Sequence, residues 1–141
     1  MNELKEENIF VDCQCPECRD AKSKLFLVNI YQVLNVCGEN YSVNGNILKC
    51  SVCGQEFETP QTTDFVAKAY HRYRYKHNYI QPEEIIAFRN NHNLSYDEMS
   101  NLLKWKSPLT LVRIEHGALQ TEDQNNDLKI FMRQYKKNFQ A

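Results

Sequence analysis

Cys15-Pro16-Glu17-Cys18 and Cys50-Ser51-Val52-Cys53-Gly54 form two Cys-x-x-Cys knuckles, and 31 residues lie between them. Each two-residue gap lets a pair of sulfurs reach one shared metal at about 2.3 Å. The long insertion then folds back as a hairpin or small sheet that carries the second knuckle to the first. Gly54 permits the tight backbone approach that such a turn needs. A redox-active pair is the competing reading, but it needs a thioredoxin-like strand–helix context that neither knuckle has. Cys15, Cys18, Cys50 and Cys53 are therefore read as the ligands of one Zn2+ ion. Four thiolates leave no open coordination position, so the metal is structural and generates no hydroxide.

Two cysteines remain. Cys13 is an alternative ligand to Cys15, which has the better spacing. Cys37, just before Gly38, reads as a small buried apolar residue. Around them, residues 1–12 read as a weakly structured start. Leu25–Val36 is a strand rich in Leu, Val, Ile and Tyr. A second strand-like run, Tyr41–Lys49, is broken by the turn signal Asn44-Gly45-Asn46. Pro60 closes the region.

Composition sets outer bounds. The chain has 141 residues, 42% hydrophobic, with a formal net charge of −1. That length suits one ordinary domain or two small ones, and small domains usually need a staple such as a metal. Charge is unevenly placed. Residues 1–62 carry 5 Lys/Arg against 9 Asp/Glu, whereas residues 63–141 carry 12 against 9 and all four histidines. The basic second half points weakly to a polyanion. No apolar run is long enough to span a membrane, and the acidic start is not a secretory signal. The expected location is the cytoplasm, where paired thiols more often mean metal than disulfide.

Helical signals dominate after residue 62. Thr62 or Thr63 with Asp64 starts a helix over Asp64–His77, with Phe65, Ala69, Tyr70 and Tyr73 on one face. Its Tyr/Arg/Lys cluster at 70–79 reads as tyrosines packed inward and bases solvated. Asn78–Gln81 is a connector. Pro82-Glu83-Glu84 opens a second helix running to His92. Ser95 and Glu98 form a capping box for a third, whose buried face is Met99, Leu102 and Leu103. Lys104–Pro108 leads to a short helix, Leu109–His116, stopped by Gly117. A last helix covers Asp123–Phe139.

The expected fold class is α+β: a small β-rich, zinc-ribbon-like domain at 1–62, a helical linker at 63–81 and an all-α helix-turn-helix domain at 82–141. In a helix-turn-helix the N-terminal side chains of the second helix meet base edges in the major groove. The residues so placed are Ser107, Thr110 and Arg113. Arg113 has the planar fork that suits guanine O6/N7, and Lys104 and Lys106 in the preceding loop suit phosphates. Leu111 and Ile114 belong to the core. Arg89 and Glu115, late on the first and third helices of this unit, form a partly buried ion pair that fixes the helices.

The arrangement resembles the MqsA/YgiT-type zinc-finger antitoxins and their relatives found with Panacea-type toxin-antitoxin modules. The resemblance is carried by both knuckles with Gln55-Glu56-Phe57, by Ala69-Tyr70, Tyr73-Arg74 and Pro82-Glu83-Glu84-Ile85, and by Phe88-Arg89 with Leu94-Ser95. Leu102-Leu103-Lys104-Trp105 and Arg113–Gln120 complete it, so that it covers residues 13–135. It implies a zinc domain that binds a toxin or another partner protein, and a C-terminal Xre/Cro-like domain that dimerises on a palindromic double-stranded operator and represses its own operon. Arg89 and Glu115 match the inter-helix ion pair of such domains, and Arg113 matches a base-contacting arginine. Tyr96 stands where the family usually has a phosphate-contacting glutamine, which places it among the DNA contacts. The Lys104–Pro108 loop is one residue longer than the pattern and has Lys where Gly is usual.

Three function classes follow. The leading one is a homodimeric, zinc-containing repressor of the antitoxin or mobile-element type. The alternative is a protein-binding inhibitor module without significant DNA binding. An enzyme, with His71, His77, His92 or His116 working beside Cys13 or Cys37, is not expected, because no nucleophile–base spacing or open metal site is present.

Overall fold

The computed structural model describes residues 15–140 and the two-residue strand Phe10–Val11, with side chains from Cys15 to Tyr135. Cys13 lies outside the described residues. The fold is α+β: an antiparallel four-stranded sheet in chain order, followed by five helices. The strands are β1 (Phe10–Val11), β2 (Leu25–Val36), β3 (Glu39–Cys50) and β4 (Glu56–Phe57). The helices are α1 (Phe65–Lys76), α2 (Pro82–Asn91), α3 (Tyr96–Leu103), α4 (Pro108–Glu115) and α5 (Glu122–Gln140). The chain divides into two compact units between Ala69 and Tyr70, a boundary that falls inside α1. Part of the expected weak start is thus ordered: Phe10 and Val11 pair with Phe26 and Leu25.

The N-terminal unit is built on one long hairpin. β2 and β3 pair without interruption from Leu25↔Cys50 to Val36↔Glu39. The turn is therefore Cys37-Gly38, with φ of 50° and 87°, a two-residue connection whose positive dihedrals match the twist of the strands. Asn35 secures it: its Oδ1 accepts from Gly38 N–H (3.1 Å) and its Nδ2 donates to Asn40 Oδ1 (3.0 Å). Two sequence expectations are corrected here. Cys37 is exposed at the hairpin tip instead of buried. Asn44-Gly45-Asn46 does not turn but continues β3, because another segment presses on it. A Cβ at Gly45 would lie 2.5 Å from Thr63 Cγ2, and Thr63 bonds Asn46 through both its N–H (3.1 Å) and its Oγ1 (2.9 Å). The glycine is there for close approach, the other use of glycine within a strand.

Strand alternation separates two faces. Tyr41, Val43 and Ile47 are buried on one face of β3, and the unit also buries Phe65 and Ala69 at the start of α1. Lys68 Nζ donates to Asn44 O (3.2 Å), which ties α1 to β3. The other face is buried only near its knuckle end. There Leu25, Leu48, Cys15 and Cys50 form a buried cluster with Leu27 and Phe57 against it. Toward the turn, the same face exposes Tyr31 (71%) and Val33 (68%).

The C-terminal unit packs α2–α5 around Ile80, Ile85, Phe88, Leu94, Met99, Leu103, Leu111, Ile114 and Leu128. Four helices in succession end the same way. Asn78, Asn93, Lys104 and Gly117 each take a positive φ. The next N–H then reaches back to Arg74 O (2.7 Å), Arg89 O, Ser100 O and Arg113 O (each 2.9 Å) respectively. These Schellman closures satisfy carbonyls that the helices leave open. Ser95 and Glu98 form the full capping box at α3 (Glu98 N–H to Ser95 Oγ 3.0 Å, Ser95 N–H to Glu98 Oε1 2.9 Å).

Burial departs from the helical-face reading at three residues. Leu102 is half exposed, because the inner face of α3 is centred on Met99, Ser100 and Leu103. Tyr75 is 82% exposed, whereas Arg74 is buried, so in α1 the tyrosine and base roles are exchanged at these two positions. Arg74 is held by a polar network. Its Nη2 donates to Gly117 O (3.2 Å) and Ala118 O (2.7 Å), and its Nε donates to Gln120 Oε1 (3.0 Å). Gln120 Nε2 donates to Ile80 O (2.8 Å), and Asn125 Oδ1 accepts from Ile80 N–H (2.9 Å). The buried guanidinium thus caps the chain just beyond α4, at the negative end of that helix.

Candidate metal centre and nucleic-acid interface

Both knuckles are turns of one design. In the first, Arg19 N–H donates to Cys15 O (2.9 Å) and Glu17 N–H to Cys15 Sγ (3.3 Å). In the second, Gly54 N–H donates to Cys50 O (3.2 Å), and Cys50 Sγ accepts from the N–H groups of Val52 (3.3 Å) and Cys53 (3.4 Å). Each turn closes on a residue of positive φ directly after the second cysteine, Arg19 (52°) and Gly54 (80°). Two serines without a sequence signal fix the knuckles in place. Ser23 Oγ accepts from Cys15 N–H (3.0 Å), and Ser51 Oγ accepts from Lys24 N–H (3.0 Å).

The four thiols converge. Cys15 Sγ and Cys53 Sγ are 3.7 Å apart, Cys18 Sγ and Cys50 Sγ are 3.8 Å apart, and all four lie within 4.8 Å of one another. A regular tetrahedron with metal–sulfur bonds of about 2.3 Å has edges of about 3.8 Å, so the donor set fits a single four-coordinate ion. None of the described cysteines is in a disulfide. The thiols also compete for negative charge. Burial works against ionisation of Cys50, but N–H donors from Cys53 and Val52 outweigh it and bring this thiol down from the ordinary 9.0 to about 6. For Cys53, the Gln55 N–H pulls downward, yet burial and the neighbouring thiols push it up to about 11. Cys18 is likewise raised, with an N–H bond from Asp20 opposed by burial and by Cys50 and Cys15. A cation at the centre removes this conflict, because each thiolate then faces positive charge.

The helical unit presents a second candidate surface. α4 packs on α2 and α3 through Leu111, Ile114 and Glu115, all buried. Arg89 meets Glu115 in a two-pronged pair, Nε–Oε2 2.8 Å and Nη2–Oε1 3.1 Å. Arg89 Nη1 also donates to Leu94 O (3.2 Å). The Tyr96 hydroxyl donates to Glu115 Oε1 (2.9 Å), and its ring lies 4.0 Å beneath the Arg89 guanidinium. Tyr96 therefore directs its hydroxyl to the ion pair. Burial first, then the Glu115 bond, raises its pKa, while the Glu115 hydrogen bond chiefly raises that of Arg89.

On the outer side, Lys104, Lys106 and Arg113 are exposed and Thr110 is half-buried. Ser107 caps α4, its Oγ accepting from Leu109 N–H (3.1 Å). α4 has no acidic residue in its first turn. One turn before Arg113 on the same helix is a residue outside the expected set: Leu109, 55% exposed. Its signal was its position one helical turn before Arg113.

The histidines are dispersed. His71 Nε2 is 3.9 Å from Glu83, His77 stacks on Tyr73, His92 packs against Phe88 and Tyr135, and His116 Nδ1 lies 2.8 Å from Val112 O. Among the described residues, the four cysteines are the one group of metal-ligating side chains drawn together. No helix among them is long and apolar enough to cross a membrane. In comparisons with family models, curated proteins and solved structures, nothing matches the chain.

Proposed function

We propose that the chain is a cytoplasmic, zinc-containing, sequence-specific DNA-binding repressor of the antitoxin type. Zinc is the metal best suited to a closed tetrahedral site of four thiolates, since it has no redox chemistry and no preference for another geometry. In this reading the N-terminal unit is zinc-ribbon-like, and α3 and α4 form a helix-turn-helix within an Xre/Cro-like domain. The observation that carries the proposal is α4 itself. It is anchored from beneath by the buried Glu115–Arg89 pair, has no acid in its first turn, exposes Arg113 and half-exposes Thr110, and follows a loop that exposes Lys104 and Lys106. Such a face fits the major groove, with lysines on phosphates and Arg113 on a guanine.

A homodimer would place two such helices on a palindromic operator and let the protein repress its own operon. A toxin protein would bind the N-terminal unit, where Tyr31 and Val33 stand exposed among uncharged neighbours on the hairpin. Tyrosine among asparagines and serines is a surface composition suited to protein recognition.

The test is a gel shift with the duplex upstream of the chain's own gene, at low salt where phosphate contacts are strongest. Arg113→Ala should lower affinity about 10- to 100-fold, the worth of one bidentate arginine–guanine contact. Absence of binding at low salt, together with a salt-insensitive complex with a neighbouring gene product, would replace this reading with the inhibitor module.

A further inference from the structure

We infer that Leu109 reads the 5-methyl group of a thymine in each operator half-site, next to a guanine read by Arg113. The inference rests on the DNA-binding reading of α4. Leu109 is the second residue of that helix and is 55% exposed, whereas Leu111 and Ile114, also apolar, are buried. Helical side chains lean toward the N-terminus, so Leu109 covers the tip of α4, the part that enters deepest into a groove. A leucine is short, so its partner must project toward the helix.

The surroundings select the partner. Lys104, Lys106 and Arg113, all exposed, lie within five residues of Leu109 along the chain. A protein surface matched to a single exposed leucine with cations before and after it in the chain gains little apolar area. Duplex DNA satisfies both features at once, since its phosphates meet the cations and the thymine methyl stands in the major groove. RNA does not, because it carries no thymine methyl and its major groove is too deep and narrow for side chains to read. Leu109 and Arg113 are four residues apart, about 6 Å along the helix axis at 1.5 Å per residue. With base pairs about 3.4 Å apart, the thymine and guanine fall within roughly two steps of each other.

The experiment uses the full-length, metal-loaded protein and a random-sequence duplex pool. In the enriched duplex, each thymine is replaced in turn by uracil, which removes the methyl and nothing else. Affinity is measured for the unaltered chain and for Leu109→Ala. The expected result is one thymine per half-site, close to a guanine, whose loss of methyl lowers the affinity of the unaltered chain about four-fold, the worth of one buried methyl. The same replacement should leave Leu109→Ala unaffected. Equal affinity for thymine and uracil at every position overturns the inference, as does a thymine preference that survives in Leu109→Ala. A pool that yields no enriched duplex overturns the DNA-binding reading instead. Equal denaturation midpoints for both proteins, read from Trp105 fluorescence, establish that the variant folds.

Discussion

Replacing Arg89 by alanine tests whether the α2–α4 ion pair holds the C-terminal unit together. The Glu115 side chain is 1% exposed, and it accepts two bonds from Arg89 and one from Tyr96. Without Arg89, a buried carboxylate keeps a single hydroxyl donor. Removing one partner of such a pair costs about 3–5 kcal/mol. A unit of this size has a total stability on the order of 5–15 kcal/mol, so the loss should be plain. Glu115→Gln should cost less, because the Arg89 side chain keeps 16% exposure and reaches water. Tyr96→Phe removes one hydrogen bond to a charge and should cost about 1.5–3 kcal/mol. The double variant Arg89→Met/Glu115→Leu should return close to the starting stability, since replacing both charges by apolar groups removes the desolvation cost. The chain's single tryptophan, Trp105, lies in this unit with its Nε1 bonded to Asp127 (3.1 Å), so urea denaturation followed by its fluorescence reads the right transition. A loss below about 1 kcal/mol for Arg89→Ala, the range of exposed pairs, would refute the argument. So would a double variant as unstable as the single one.

Metal-dependent stabilisation should grow as pH rises. Cys50, lowered to about 6, supports the metal-free fold above its ordinary 9.0 and loses that support as pH falls through 6. Cys53, raised to about 11, opposes the fold as pH rises from 9 through 11. Metal displaces the protons that the thiols still carry, so the gain in melting temperature on adding Zn2+ should be larger at pH 8.5 than at pH 6, where the raised thiols of Cys18 and Cys53 hold their protons most firmly. A gain that does not change with pH would count against thiolate ligation. Lys104→Gly should stabilise the C-terminal unit by about 1 kcal/mol, because an L-residue in the left-handed region pays about that much and glycine does not. The same substitution should weaken DNA binding and reduce the salt slope by about 0.9 if Lys104 neutralises one phosphate. Gly45→Ala should destabilise the N-terminal unit by about 1–3 kcal/mol, because the added Cβ overlaps Thr63, and a thermal shift of the metal-loaded protein reads this.

Local chemistry was legible where a residue type answers one question. Paired cysteines gave the four thiols that converge, Ser95 with Glu98 gave a helix start, and Gly117 gave a helix end. It was not legible where one residue type serves two purposes. Asn44-Gly45-Asn46 carries a better hairpin signature than Val36-Cys37-Gly38-Glu39, yet the chain turns at the second. Tertiary contact with Thr63 uses Gly45 for its missing side chain, while Asn35 supplies the bond that fixes the real turn. Lys104 in a left-handed conformation has no signal in its own residue type, since lysine is no better than average there. That four successive helices share this closure became apparent only from the backbone.

The cations show the same division in a way that bears on function. Residues 63–141 carry 12 Lys/Arg against 9 Asp/Glu, which reads as a modest basic surplus available to a polyanion. The structure spends two arginines of that surplus inside. Arg74 is buried among the carbonyls beyond α4, and Arg89 is consumed by Glu115. Both act on the same helix, one closing its C-terminal end and the other fixing its inner face. Arg113, Lys104 and Lys106 remain outward around α4. A groove-binding helix needs its anchoring charges separated from its contacting charges, because only the second kind releases counterions from DNA. A count of basic residues cannot make that separation, but burial does. On the DNA-binding proposal, the salt dependence would fall to exposed cations such as Lys104, Lys106 and Arg113, and the rigidity of the helix to the buried Arg74 and the paired Arg89.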